Sequence, residues 1–208
     1  AKRQYLLAAY CLGSPKDLAV GLLEVSEAIA FLMKTQWATD ELAESFRMQA
    51  LLLHYSGLPY EALESLQQSI SLSRHLLRRR KYPRRVRALL RSLTSLSFLS
   101  GTAGKYEQAI KAGTEAQQQY QTLMVASNSN EDKHEAVYNL EILSYYLFMM
   151  GRWGEAQKVA EEALRILGPL AVEDPTVMAK IDQFKEDIQL YRDNIKMFHE
   201  KPDKMASG

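Results

Sequence analysis

A turn-like pattern recurs along this chain at a fixed interval: a glycine, one residue, a ring-bearing residue, and an alanine three positions later. The copies begin at Gly57, Gly104 and Gly151 and are 47 residues apart. A weaker copy at Gly13 lies 44 residues before Gly57 and lacks the alanine. Self-similarity with a period of about 20 to 50 residues is the signature of a repeat architecture, in which each unit packs against its neighbours. Four such units would fill almost the whole chain.

Each copy predicts a tight antiparallel hairpin of two helices. A glycine after an apolar run can end a helix in the left-handed conformation, and a second helix would begin within two residues. Pro15 and Pro59 suit the first position of such a helix. The alanine after each turn leaves room for the two helices to approach closely; these alanines are Ala62, Ala109 and Ala156.

The predicted fold class is all-α. The chain has only 10 glycines and 6 prolines among 208 residues, whereas good helix formers are abundant. A single hairpin cannot bury its apolar face alone, so about four hairpins would stack into a right-handed α-α superhelix. The first helix of each pair would line its concave side. We expect the repeats over residues 1–168, a capping helix over 169–199 and a disordered tail over 200–208.

The turns and the capping signals predict where each helix begins and ends. Thr39 or Asp40, and Asn130, are the predicted N-caps. The predicted helices are 2–12, 15–34, 39–56, 59–80, 84–101, 105–125, 131–150, 153–168 and 175–199.

The copies resemble the tetratricopeptide repeat family over roughly residues 1–168. The copy around Gly151 carries the matching residues Leu140, Leu143, Ser144, Leu147, Gly151, Trp153, Ala156, Ala160 and Ala163. The copy around Gly104 carries Leu93, Leu96, Ser97, Tyr106, Ala109, Gly113 and Ala116, and that around Gly57 carries Phe46, Ala50, Leu53, Ala62 and Leu66. The period is longer than is usual in this family and is similar to that of kinesin light chain repeats. The resemblance implies a protein-interaction scaffold with a peptide-binding groove.

The resemblance also implies which residues line that groove, because first helices face it in such arrays. The candidates are Arg3, Leu7, Tyr10, Arg47, Leu51, His54, Tyr55, Arg91, Thr94, Phe98, Tyr138, Glu141, Tyr145 and Phe148. Arginines interleaved with rings and leucines suit a partner segment that carries acidic and apolar residues. Met48, Ser95 and Ile142 stand where some family members have asparagines that clamp a C-terminal carboxylate. Binding of that kind is therefore not predicted.

A block of positive charge interrupts an otherwise balanced chain, whose net charge is only +1. Residues 76–91 contain Arg78, Arg79, Arg80, Lys81, Arg84, Arg85, Arg87 and Arg91 and no acidic residue. Two or three of these cations can complement a helix C-terminus. The remainder indicates an anionic partner or a solvated basic edge. Between Glu131 and Asp187, in contrast, there are 12 acidic and 6 basic residues.

The final predicted helix carries a narrow apolar stripe at intervals of three and four residues. Its members are Val177, Ile181, Phe184, Ile188, Tyr191, Ile195 and Phe198. Such a stripe is typical of a packing seam. It favours a cap over the last hairpin, and dimerisation through residues 175–199 is the alternative.

The sequence offers no constellation typical of an enzyme. The four histidines, His54, His75, His134 and His199, are scattered, and Cys11 has no histidine near it in sequence. Nucleotide-binding and nucleophile-elbow motifs are absent from the sequence. We therefore expect an intracellular, non-enzymatic scaffold that has no metal site or cofactor and binds another protein. The alternative function is electrostatic binding of nucleic acid or an anionic membrane through residues 78–91, which would weaken steeply with salt.

Overall fold

The computed structural model describes residues 15–34, 40–127 and 129–200. Within these ranges the chain forms eight α-helices and no strand, which confirms the predicted all-α class. The helices are α1 (Pro15–Lys34), α2 (Asp40–Tyr55), α3 (Pro59–Arg79), α4 (Pro83–Thr102), α5 (Tyr106–Ser127), α6 (Asn130–Met149), α7 (Trp153–Glu173) and α8 (Met178–Glu200). A 3₁₀ turn, Pro175–Val177, precedes α8. The predicted helix 2–12, Thr39 and residues 201–208 of the tail predicted over 200–208 lie outside the described residues.

Each of the three glycine turns separates two consecutive helices. Gly57, Gly104 and Gly151 have backbone φ angles of 79°, 74° and 70°, in the left-handed region that favours glycine. At the first turn the amide of Leu58 donates to the carbonyl of Leu53 at 2.9 Å, and Arg152 donates to Leu147 at 2.9 Å at the third. These bonds satisfy carbonyls at the ends of α2 and α6. The structure thus has the hairpins α2–α3 and α6–α7, and the Gly104 turn separates α4 from α5.

The alanine that follows each turn is fully buried. Ala62, Ala109 and Ala156 have no exposed surface. A methyl side chain at this position lets the backbones of the two helices approach closely, because nothing larger separates them. Full burial at all three positions is what a close approach of the surrounding helices requires.

The chain divides into two compact units, Ala1–Gly104 and Lys105–Gly208, here called the N-terminal and C-terminal units. In the described part of the N-terminal unit, α2 packs against α1, α3 and α4, and α3 packs against α4. The core includes Leu52, Leu66, Leu90 and Leu93. In the C-terminal unit α6 packs against α5 and α7, and α7 packs against α8, around a core that includes Tyr120, Leu140, Leu167 and Phe184.

A buried hydroxyl joins three helices of the N-terminal unit. Ser69 on α3 lies 2.7 Å from the carbonyl oxygen of Ala43 on α2 and 2.9 Å from the hydroxyl of Ser92 on α4. A buried hydroxyl must be hydrogen-bonded to offset the loss of its hydration. The network therefore helps to fix α2 and α4 side by side.

Two predicted boundaries are wrong. The helix predicted over 153–168 continues to Glu173, although Pro169 lies inside it. Proline clashes with the Cβ of the residue before it in a helix, but that residue is Gly168, which has none, and Leu170 beyond it is buried. Asn130 is the first residue of α6, not its cap, because Ser129 before it has the extended backbone of the cap position.

The C-terminal helix uses most of its apolar stripe within the chain. Val177, Ile181, Phe184, Ile188 and Tyr191 are buried, and α8 packs against α7. Contacts also reach α6, where Lys180 bonds to Glu141 and the ring of Tyr191 stacks on Phe148 at 5.2 Å. Because these contacts advance along both helices in the same order, α6 and α8 run parallel. Within the C-terminal unit, α8 thus stands where the first helix of another hairpin would stand.

Candidate functional site

Two predicted groove segments of the N-terminal unit meet in the structure. His54 and Tyr55 end α2, and Phe98 lies on the neighbouring α4. The ring of His54 lies edge-on to Tyr55 at 5.2 Å and to Phe98 at 5.6 Å. The ring of Tyr55 is 47% exposed. An aromatic cluster therefore spans the two first helices and presents one ring to solvent.

Two arginines lie seven residues, about two helical turns, before rings of this cluster on the same helices. Arg47 on α2 makes two hydrogen bonds to Glu44, of 2.7 and 3.1 Å, so a carboxylate already compensates its charge. Arg91 is half-buried on α4. We call the surface formed by Arg47, His54, Tyr55, Arg91 and Phe98 the α2–α4 face.

The other groove candidates of the N-terminal unit differ in accessibility. Leu51 and Thr94 are buried, so they offer little surface to a partner. Arg3, Leu7 and Tyr10 lie outside the described residues. Burial lowers the pKa of His54, because the charged imidazolium is poorly solvated between the rings. The neutral form of His54 is therefore favoured in the α2–α4 face.

In the C-terminal unit, Tyr138, Glu141 and Tyr145 follow one another along α6. Their neighbour Lys180, on α8, was not predicted as a site residue. Its ammonium lies 2.6 Å from Glu141 and 6.0 Å from the centre of the Tyr138 ring. From the sequence, Lys180 could be assigned only to the predicted capping helix. Its position next to Ile181 of the apolar stripe was the only sign that it lies near α6. We call the surface between these two helices the α6–α8 seam.

Aromatic residues and carboxylates make up the rest of the seam. Tyr145 is 53% exposed and lies edge-on to Tyr146 at 5.2 Å. Burial, together with the neighbouring tyrosines, raises the pKa of Tyr146 to about 12. Burial also raises the pKa of Asp187 on α8, and Glu141 and Glu186 add to this effect. The seam therefore has an excess of negative charge.

The structure divides the basic block into paired and unpaired cations. Asp40, at the start of α2, accepts hydrogen bonds from Arg84 at 2.6 Å and Arg85 at 2.9 Å. Arg85 also donates to the carbonyl of Leu76 at 3.0 Å. Arg85 therefore ties the end of α3 and the start of α2 to α4, which is a structural role.

The cations between α3 and α4 lie on the surface. Arg80 donates to the Tyr82 hydroxyl at 3.0 Å, and this bond lowers the pKa of Tyr82. Arg78, Arg79 and Lys81 are exposed and have no ion-pair partner among the described residues. We call residues 78–81 the basic edge. Arg87, the remaining member of the predicted patch, is half-buried on α4.

The described residues contain no group of three or more histidine, cysteine, aspartate or glutamate side chains that could hold a metal ion. None of the described helices combines the length and the apolar character that a membrane crossing requires.

No protein-family model matches the chain, and no curated protein matches its sequence. Solved structures do resemble it. A variant of a putative kinesin light chain from Podosopora anserina, described as having nearly identical TPR-like repeats, has a TM-score of 0.66 at 16% identity. The match covers 99% of this chain and 96% of that one. A second structure of the same protein has a TM-score of 0.64 at 15% identity and covers 99% and 97%.

The third similar structure is BtubC (BKLC) from P. vanneervenii. Its TM-score is 0.53 at 14% identity, and the match covers 100% of this chain and 90% of that one. Likeness at such low identity concerns the fold. Together with the glycine turns and the paired helices, it shows that this chain has an all-α fold of tetratricopeptide-like helical repeats.

Proposed function

We propose that this chain is a non-enzymatic scaffold whose α2–α4 face binds a segment of another protein that carries acidic and apolar residues. The observation that carries the proposal is the ring cluster of His54, Tyr55 and Phe98, which spans the neighbouring helices α2 and α4. Tetratricopeptide-like repeats are typically non-enzymatic.

The chemistry of the face favours such a segment. An exposed aromatic ring gives a partner side chain a place to bury apolar area, and such anchors dominate interface energies. Arg91, which lies about two turns before Phe98 on α4, can donate two parallel hydrogen bonds to a carboxylate. The N-terminal unit has 14 basic and 8 acidic residues, a net charge of +6, which attracts an acidic segment from a distance.

Panning a random twelve-residue peptide library against the full chain would test this proposal. We expect selected peptides to be enriched in aspartate or glutamate next to aromatic or aliphatic residues. Tyr55→Ala should weaken their binding about tenfold, because it removes the exposed ring of the cluster. Tyr60→Ala is the matched control, since Tyr60 is even more exposed but lies on α3; it should leave affinity unchanged. Enrichment in basic residues, or an equal loss in both variants, would contradict the proposal.

A further inference from the structure

The two units of this chain carry opposite net charges. The N-terminal unit has a net charge of +6, whereas the C-terminal unit, with 12 basic and 17 acidic residues, has −5. The charge of the whole chain, +1, conceals this polarity. Charge of one sign on one unit raises the rate and specificity of association with a surface of the other sign.

The α6–α8 seam already holds one cation of its own chain. The ammonium of Lys180 lies 2.6 Å from a Glu141 oxygen and 6.0 Å from the centre of the Tyr138 ring. A carboxylate and an aromatic face together attract ammonium and guanidinium groups. Lys180 thus shows which chemistry the seam recognises.

The seam can hold more positive charge than Lys180 supplies. Asp187 is half-buried and has no ion-pair partner among the described residues. Its burial, and then the negative charge of Glu141, disfavour the ionised form of its carboxyl group. Tyr145 and Met149, one and two turns beyond Glu141 on α6, are about half exposed. A cation near Asp187 would neutralise the carboxylate, and its aliphatic stem could cover Tyr145.

The basic edge of the N-terminal unit has the complementary composition. Arg78, Arg79 and Lys81 are exposed cations with no ion pair among the described residues, and Tyr82 beside them is 43% exposed. Like charges packed together repel one another, so an anionic surface that covers them is favourable. Long cationic side chains next to a ring match a seam of carboxylates and rings in both charge and apolar area.

We propose that the α6–α8 seam binds the basic edge of a second copy of this chain. A second copy presents both complementary surfaces, so one kind of contact neutralises the excess charge of both units. Nucleic acid or an anionic membrane would engage only the basic edge, would leave the seam unoccupied, and would be repelled by the net charge of −5 on the C-terminal unit. The contact is distinct from the α2–α4 face and goes beyond the proposed function.

Sedimentation velocity of the full chain tests this contact. At about 20 mM salt, where surface charges are weakly screened, we expect a mass above that of the 23.7 kDa monomer that rises with protein concentration. At about 500 mM salt the monomer should predominate. A monomer at every salt and protein concentration would overturn the proposal.

Two variants locate the contact. An edge variant, Arg78→Glu with Arg79→Glu and Lys81→Glu, leaves the structural Arg85 in place; a seam variant combines Asp187→Asn with Tyr145→Ala. Each should weaken self-association at least tenfold. Mixed in equal amounts they should associate again, because the edge variant supplies an intact seam and the seam variant an intact edge. Failure of the mixture to associate, or undiminished association of either variant alone, would overturn the proposal.

Two controls complete the experiment. Reversing three exposed cations of the C-terminal unit, by Lys111→Glu, Lys158→Glu and Arg165→Glu, changes the charge as much as the edge variant does but should not weaken association. Lys180→Ala should strengthen association several-fold, because it removes the cation that competes for Glu141 and Tyr138. Weaker association of Lys180→Ala, or binding of duplex DNA by a wild-type chain that stays monomeric, would count against a second copy as the occupant.

Discussion

A left-handed backbone at Gly57, Gly104 and Gly151 separates consecutive helices. For a residue with a Cβ this conformation costs roughly 1 to 2 kcal/mol. No atom lies within 4 Å of the place where a Cβ at Gly104 would be, so the cost there comes from the backbone alone. The requirement for glycine is therefore local, and its recurrence could be recognised from the sequence without knowing the fold.

Gly104→Ala should lower the free energy of unfolding by about 1 kcal/mol, because the backbone φ angle of 74° is unfavourable for alanine. The control is Gly154→Ala on α7, whose backbone is helical and which has open space around it. Alanine there should stabilise the protein by about 0.5 kcal/mol. Urea denaturation of both variants measures these changes, and equal effects would contradict the assigned role of the turn.

Arg85 is a residue whose role the sequence could not separate from that of its neighbours. Its partner Asp40 is 45 positions away in the chain, and eight cations crowd the same segment. Only the packing of α2 against α4 brings the carboxylate to Arg85 and leaves Arg78 exposed.

Arg85→Gln should lower the free energy of unfolding by about 1.5 to 3 kcal/mol, since it breaks charged hydrogen bonds to Asp40 and to the end of α3. Arg78→Gln should change it by less than about 0.5 kcal/mol. Thermal denaturation followed by circular dichroism compares the two variants. If Arg78→Gln were the more damaging, the division of the basic block would be wrong.

Asp187 gives the seam a pH dependence. Because burial raises its pKa in the folded state, ionisation of this carboxyl opposes folding, and the stability it contributes in acid is lost as pH rises through the folded-state pKa. Asp187→Asn should therefore raise the melting temperature at pH 7. The advantage should vanish below about pH 3.8, the ordinary value for this group. An advantage that persists unchanged in acid would show that charge is not its cause.

At the scale of elements, α8 both covers α7 and lies beside α6, and its sequence predicted only the first of these two contacts. The apolar stripe predicted a packing seam, and five of its seven residues are indeed buried. The stripe could not show that α8 also lies beside α6, because contacts such as Lys180 with Glu141 join polar residues outside it. The same limit applies to α7, which continues beyond Pro169 because a glycine precedes the proline.

Phe184→Ala and Phe198→Ala separate the buried and exposed ends of the stripe. Phe184 is 1% exposed, so its truncation should cost about 3 to 5 kcal/mol. Phe198 is 63% exposed and meets Trp153 edge-on, so its truncation should cost less than about 1 kcal/mol. Chemical denaturation gives both values. Equal costs would mean that the stripe is not used as a cap.

At the scale of the whole molecule, the repeated turns determine where the helices lie along the chain, and the distribution of charge between the two units is a separate property of the sequence. The 47-residue interval specified the turns, because each turn depends only on nearby residues. The polarity of the two units could also be counted from the sequence once their boundary was known. The residues that form a binding face could not be predicted from the sequence in the same way. Arg47 and Glu141, for example, were predicted to line the groove, but each forms an ion pair within the chain.

The proposed function requires that α2 and α4 present the α2–α4 face to another protein. The most direct measurement replaces Tyr55 with a photo-crosslinking phenylalanine analogue, irradiates the full chain in a native extract and sequences the attached peptide by mass spectrometry. The same replacement at Tyr60, on the second helix α3, is the control. We expect a crosslink at position 55, and not at 60, and the attached segment of the other protein should be rich in acidic and apolar residues. Crosslinks of equal yield at both positions, or only to basic segments, would contradict the proposed function.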